Sequence, residues 1–147
     1  MSLKEQITDD MKDAMRAKDR VRLDTIRMLM AGIKQREVDE RKELSGSEVL
    51  GVIEKMIKQR RDSITQFEAG GRKDLADREQ AELDVLLAYM PAALGQEELE
   101  AEVLLSVAGA SGMQDMGKVM AELKTRLAGR ADMSVVSAMV REALSRV

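Results

Sequence analysis

The stretch from Asp115 to Ser134, DMGKVMAELKTRLAGRADMS, holds the side chains whose types and spacing best suit binding chemistry. Lys118, Lys124, Arg126 and Arg130 lie on or beside one short helical segment and its exit turn, and only Asp115 and Glu122 are acidic between Asp115 and Ala131. A set of cations so placed suits an anion. Gly117, inside the first turn of that helix, costs roughly 1 kcal/mol relative to Ala. Its presence predicts a close approach, either by the chain's own last helix or by a phosphate reaching the free N–H groups of the helix start.

A second cationic set is Arg20, Arg27 and Lys34, spaced seven residues apart so that they share one helix face beside an apolar stripe. From Arg16 to Lys42 there are nine Lys or Arg against five acids. The competing reading is a solvated flank with intrahelical pairs such as Arg20 with Asp24. Lys55, Lys58, Arg60 and Arg61 form a third cluster, which helical spacing spreads over more than one face. Gly70-Gly71-Arg72-Lys73 lacks the spacing of a phosphate-binding loop and reads as a helix C-cap. The acids Asp9, Asp10 and Asp13, and Glu97 to Glu102, follow no calcium-loop pattern and read as residues favoured by the helix dipole.

Composition removes most catalytic chemistry. The 147 residues include no His and no Cys, so the commonest general base, thiolate nucleophiles and disulfides are all absent. No catalytic residue, metal or cofactor is expected. A net charge of −3 argues against a generic nucleic-acid coat protein, and aromatics at 1% leave no stacking platform for single-stranded bases. No segment has the length of a membrane span or the pattern of a signal peptide, which predicts a soluble cytoplasmic protein.

The elements that position these residues are helices. One Pro, one Phe, one Tyr and no Trp give little β-propensity, while Ala, Leu, Met, Glu, Lys and Arg favour helix, so the fold class is all-α. Ser2 with Glu5 is a capping-box pattern, and Leu3, Ile7 and Met11 begin an apolar face that runs to a stop near Lys18. Asp19 caps a second helix reaching about Glu40, with Leu23, Ile26, Met30 and Ile33 inward. A third carries Val49, Ile53, Met56, Ile57, Ile64 and Phe67 and ends at Gly70-Gly71. A fourth is capped by Asp74 and stopped by Pro91. The predicted organisation is a four-helix N-terminal unit over residues 1–90, followed by a three-helix tail domain over 91–147. In the tail, Gly129 ends one helix and Asp132 caps the last. Most of the twelve Met residues are expected as core filler.

Lys55 to Pro91, KMIKQRRDSITQFEAGGRKDLADREQAELDVLLAYMP, and Asp115 to Leu144, DMGKVMAELKTRLAGRADMSVVSAMVREAL, resemble the YqeY-like proteins, and the similarity extends over the whole chain. That family is similar in turn to the C-terminal helical and tail region of the B subunit of the tRNA-dependent amidotransferase, whose tail contacts the tRNA body. Gly117-Lys118 and Gly129-Arg130-Ala131-Asp132 carry the tail resemblance. Nothing here corresponds to the catalytic cradle that holds ATP, magnesium and the aminoacyl end.

The resemblance therefore implies a non-catalytic, tRNA-binding or tRNA-associated adaptor. Its expected partners are tRNA and an aminoacylation or amidotransferase protein, and its expected contacts are Gly117, Lys118, Lys124, Arg126 and Arg130, with Arg20, Arg27 and Lys34 as a secondary ridge. Two alternatives stay open. One is an amidotransferase-related carbon–nitrogen ligase acting only with a partner. The other is a helical protein-interaction module that binds no RNA.

Overall fold

Short polar residues just ahead of apolar-periodic runs decide where the helices begin. A computed structural model describes residues 2–147, which form α1 (Leu3–Ala17), α2 (Arg20–Glu40), α3 (Gly46–Ala69), α4 (Lys73–Leu87), α5 (Gln96–Val107), a 3-10 turn (Met113–Asp115), α6 (Met116–Arg126) and α7 (Met133–Ser145). No strand occurs among the described residues. Ser2, Asp19 and Asp132 each accept a backbone N–H of the helix they precede.

The caps also correct two expectations. The reciprocal capping box is at Ser45 and Glu48, where each side chain accepts the other residue's backbone N–H, whereas Ser2 only accepts from Glu5. Asp74 does not cap α4. The position before the helix is Arg72, whose guanidinium instead binds the Asp74 carboxylate at 3.1 Å. Asp74 thus acts in the first turn as a dipole-favoured acid held by its neighbour, and that contact keeps it below the usual carboxylate range.

The chain divides into two compact units, the first ending at Met90 and the second running from Pro91 to Val147. In the first, Ile7, Ile26, Leu29, Ile53 and Leu86 lie at the centre of one apolar cluster. Leu29 and Thr25 face inward on α2, where the expected stripe had Leu23 and Met30, both only half-buried. In the second, Val119, Leu123, Val136, Val140 and Leu144 form a separate cluster with Leu99 and Val103 of α5. None of the eleven described methionines is fully buried. Eight of them, such as Met56 and Met120, pack on the rims of the clusters, so Met is a rim residue here and branched aliphatic side chains fill the centres.

Polar contacts tie the helices of the first unit to one another. Lys4 of α1 reaches Glu37 of α2 at 2.7 Å, and Glu37 also accepts the Leu44 N–H at 2.9 Å, which seats the buried Leu44 of the α2–α3 loop. Both contacts hold the Glu37 carboxyl below its ordinary range, the Lys4 hydrogen bond being the larger cause. Lys42 binds Glu48 at 2.8 Å and, with the Ser45 N–H, pulls the Glu48 carboxyl down to about 2.

Candidate functional site

The tail cations do not form one free surface. Arg126 lies 2.6 Å from Glu102 and 2.8 Å from Glu122, and it also donates to the Glu102 carbonyl at 3.0 Å, so it joins α6 to α5 as a structural tie. Arg130 donates from Nε to the Ala92 carbonyl at 3.4 Å, while the Leu94 N–H donates to the Arg130 carbonyl at 2.9 Å. Together these bonds hold the segment after Pro91 against the α6–α7 turn. Lys118 and Lys124 are exposed on α6 and make no ion pair or hydrogen bond among the described residues.

Gly117 corrects a further expectation. A Cβ at this position would meet nothing within 4 Å, so neither the last helix nor any other element approaches it. At the start of α6 the Met116 N–H donates back to the Met113 carbonyl, and the Asp115 carboxylate accepts the Ser111 N–H at 2.7 Å.

On α2 the cations sort by face. Arg22 turns toward α1 and lies 3.6 Å from Asp10, and Arg36 turns toward α3 and lies 3.6 Å from Glu48. Arg20, Arg27 and Lys34 are exposed and have no salt bridge among the described residues, including the anticipated pair of Arg20 with Asp24. Val38 (59%), Val21 and Met28 are also exposed on α2, Met28 on the flank where Arg60 of α3 donates to its Sδ at 3.6 Å.

Two clefts lie among the described residues of the first unit. One, of about 310 Å³, is lined by Gln6, Asp10, Arg22, Val85 and Tyr89. Within it the Tyr89 hydroxyl donates to Asp10 Oδ2 at 2.6 Å. Burial, reinforced by the adjacent Asp10 carboxylate, raises the phenol's pKa far above its usual value, so Tyr89 stays a protonated donor that ties the end of α4 to α1. The other, of about 500 Å³ between α2 and α3, is floored by Gly32, Gly51, Val52 and Met56 under Arg36, Lys55 and Gln59. Between α3 and α4, Arg60 lies 3.2 Å from Glu82 and 3.5 Å from Glu79. Burial raises the Glu82 carboxyl against the opposing pull of Arg60. No group of three or more His, Cys, Asp or Glu residues fit for a metal ion occurs among the described residues.

The residue pattern that the cationic motifs concealed lies on α5. Leu99, Val103, Ser106 and Val107 are buried, yet Leu104 and Leu105 on the opposite side are 63% and 66% exposed. Ala101 and Ala108 flank them and are also exposed. The signal was legible: apart from Ser106, the VLLSV end of α5 is apolar on more than one side, and such a stretch has more than one face to cover. Val135 and Met113 add to the exposed apolar surface of the second unit.

Together these observations define a small all-helical protein whose candidate surfaces are helix faces. A family model described as Yqey-like protein matches residues 4–144, and the chain belongs to the YqeY-like family. A relative from Eremothecium gossypii is 36% identical over 95% of this chain and 79% of its own length. One from Pyrenophora tritici-repentis is 34% identical over 90% and 76%, and one from Saccharomyces cerevisiae is 32% identical over 80% and 58%. All three are named Altered inheritance of mitochondria protein 41, mitochondrial.

These relatives overturn the function expected from the tail resemblance. Proteins matched along most of the chain are named for mitochondrial inheritance, with neither tRNA nor amidotransferase in the name, and the tRNA-associated adaptor reading is corrected accordingly. The expected cytoplasmic location is corrected by the same names, which are those of mitochondrial proteins. No helix of the described residues is long and apolar enough to cross a membrane.

Proposed function

We propose that this chain is a docking module without catalytic chemistry of its own, which binds a helical protein through the outward face of α5 and serves the process for which its relatives are named, mitochondrial inheritance. The carrying observation is the pair Leu104 and Leu105, adjacent and both more than three-fifths exposed on a helix whose other side is already buried. Covering a leucine contributes about 1.5–3 kcal/mol, so two such side chains facing water favour an apolar partner. Helix-in-groove docking uses anchors at i, i+3 and i+4 spacing, here Ala101, Leu104 and Leu105.

In this reading the four helices before Pro91 and the three after it are separately folding domains. The second presents α5, and the first presents Arg20, Arg27 and Lys34 as a row that attracts an acidic partner surface. Lys118 and Lys124 add charge near the docking domain without forming its contact.

Photo-crosslinking tests the docking face. The chain is imported into yeast mitochondria with a photoreactive residue at position 104 or, as control, at the exposed Lys58 of α3. A discrete protein adduct from position 104 and none from position 58 is the expected result. No adduct from position 104, or equal labelling from both, removes α5 as the docking face.

A further inference from the structure

We propose that the cleft between α2 and α3 is a binding site for a small organic carboxylate with an extended apolar body, a site independent of the α5 face. The two helices run antiparallel, with Arg36 meeting Glu48 at one end and Met28 meeting Arg60 at the other. Between these crossings they leave an open space of about 500 Å³, within the range of sites that take small molecules. Its floor is Gly32, Gly51, Val52 and Met56. The fold does not require either glycine. Both lie inside helices, where Gly is weaker than Ala, and neither takes the positive φ that would demand it. Nor do the helices press on them: a Cβ at Gly32 would lie 3.6 Å from Val52 Cγ1 and one at Gly51 3.8 Å from Arg36 Nη1, both ordinary contact distances. What the missing methyls leave is room over two helix backbones, one on each wall of the same cleft.

The charges around that floor select the ligand. Arg36 is paired with Glu40 and Glu48, and Asp39 accepts the Gln35 amide at 2.9 Å. Lys55 and Gln59, exposed at the rim on α3, have no ion pair or hydrogen bond among the described residues. The free charge at the cleft is therefore an ammonium with an amide one turn away, a pair of donors that suits a carboxylate. No second unpaired cation lines the cleft among the described residues, so a singly charged carboxylate fits it better than a phosphate. Asp39 lies toward the α2–α3 loop, and its like charge directs the carboxylate to the end where Lys55 and Gln59 stand. From Gly51 to Gln59 the wall runs eight residue steps, about 12 Å along the helix, long enough for a straight eight-carbon chain. Such a body lies on the glycine floor and covers Val52 and Met56, both half-buried in the free chain.

The test uses the whole chain, with octanoate as the probe. Titrated against isotope-labelled protein at neutral pH, octanoate should shift the amide signals of Gly32, Gly51 and Val52 saturably, with a Kd below about 1 mM. Acetate has the charge without the body, and octylamine has the body with the opposite charge; each should bind at least about tenfold more weakly. Gly32→Ala/Gly51→Ala should raise the melting temperature, because both methyls fit and both helices gain propensity. The same variant, read at Val52, should bind octanoate at least about tenfold more weakly, and so should Lys55→Gln. Absence of a saturable shift at these three amides, octylamine binding as well as octanoate, or full octanoate affinity in either variant overturns the proposal. So does a lowered melting temperature in the double-alanine variant, since the glycines would then serve the packing of α2 on α3 and not a ligand.

Discussion

The two units are held together by different physics. In the first, charged pairs cross between neighbouring helices at each layer: Lys4 with Glu37, Arg22 with Asp10, Arg36 with Glu48, and Arg60 with Glu79 and Glu82. In the second, Arg126 with Glu102 is the inter-helix ion pair among the described residues, a Ser106–Glu122 hydrogen bond and the bonds between Arg130, Ala92 and Leu94 add a few polar ties, and the core is aliphatic packing around Leu123, Val136 and Val140. A unit fixed by directional pairs has its faces assigned, and cations without a salt bridge among the described residues, Arg20, Arg27 and Lys34 among them, are exposed. A small unit fixed by apolar packing tolerates a helix whose last turn is apolar on both sides, and α5 is that helix.

The largest expected effect comes from breaking one core at a time. Leu29→Ala and Leu123→Ala each remove a fully buried leucine and should each cost about 2–5 kcal/mol. If the units fold separately, hydrogen exchange after Leu123→Ala accelerates throughout 91–147 and hardly changes before residue 90. Uniform acceleration across both would show one cooperative unit instead.

Acid should then separate the units. The Glu48 carboxyl, drawn down to about 2, and the lowered Glu37 stabilise the first unit above the ordinary value of 4.5, and that contribution is lost as pH falls from there toward 2. Urea midpoints followed by exchange at pH 7 and pH 3 should therefore drop further for the first unit, with Glu48→Gln lowering the pH 7 value and flattening the difference. Glu82 works the other way. Its raised carboxyl contributes stability below 4.5 that is lost as pH rises through its folded-state value, so Glu82→Gln should soften this opposing trend.

Smaller effects test single contacts. Arg126→Met should cost about 1 kcal/mol, since the pair is part-exposed and screened, with the loss confined to the second unit and reduced in high salt. Gly117→Ala should raise thermal stability by about 0.5–1 kcal/mol, because a methyl there meets no neighbour and the helix gains propensity. A melting temperature lowered by this substitution would mean that Gly117 does accept a close neighbour.

The helices were readable because caps and apolar spacing are local properties: Asp19, Gly70 and Asp132 mark their boundaries in sequence as in space. Surface roles were not, because the fate of a cation depends on what lies across from it. Arg126 and Arg130 sit beside Lys118 and Lys124 in sequence, but the first two are drawn into the fold by Glu102 and Ala92, residues 24 and 38 positions away. Gly117 was misleading for a related reason. A helical glycine signals the absence of a side chain and carries no information about what, if anything, fills the space. The α5 face was visible in the VLLSV run, but without the fold nothing told which leucines were covered.

The central claim is that the working surface is the outward face of α5 and not the cations of α6. Functional rescue compares them most directly. In yeast lacking the relative, this chain, imported into mitochondria, is expressed as the native sequence, as Leu104→Glu/Leu105→Glu, or as Lys118→Glu/Lys124→Glu, with folding and abundance matched. Native sequence and the lysine variant should restore mitochondrial inheritance, and the leucine variant should fail. Rescue by the leucine variant together with failure of the lysine variant would contradict the account.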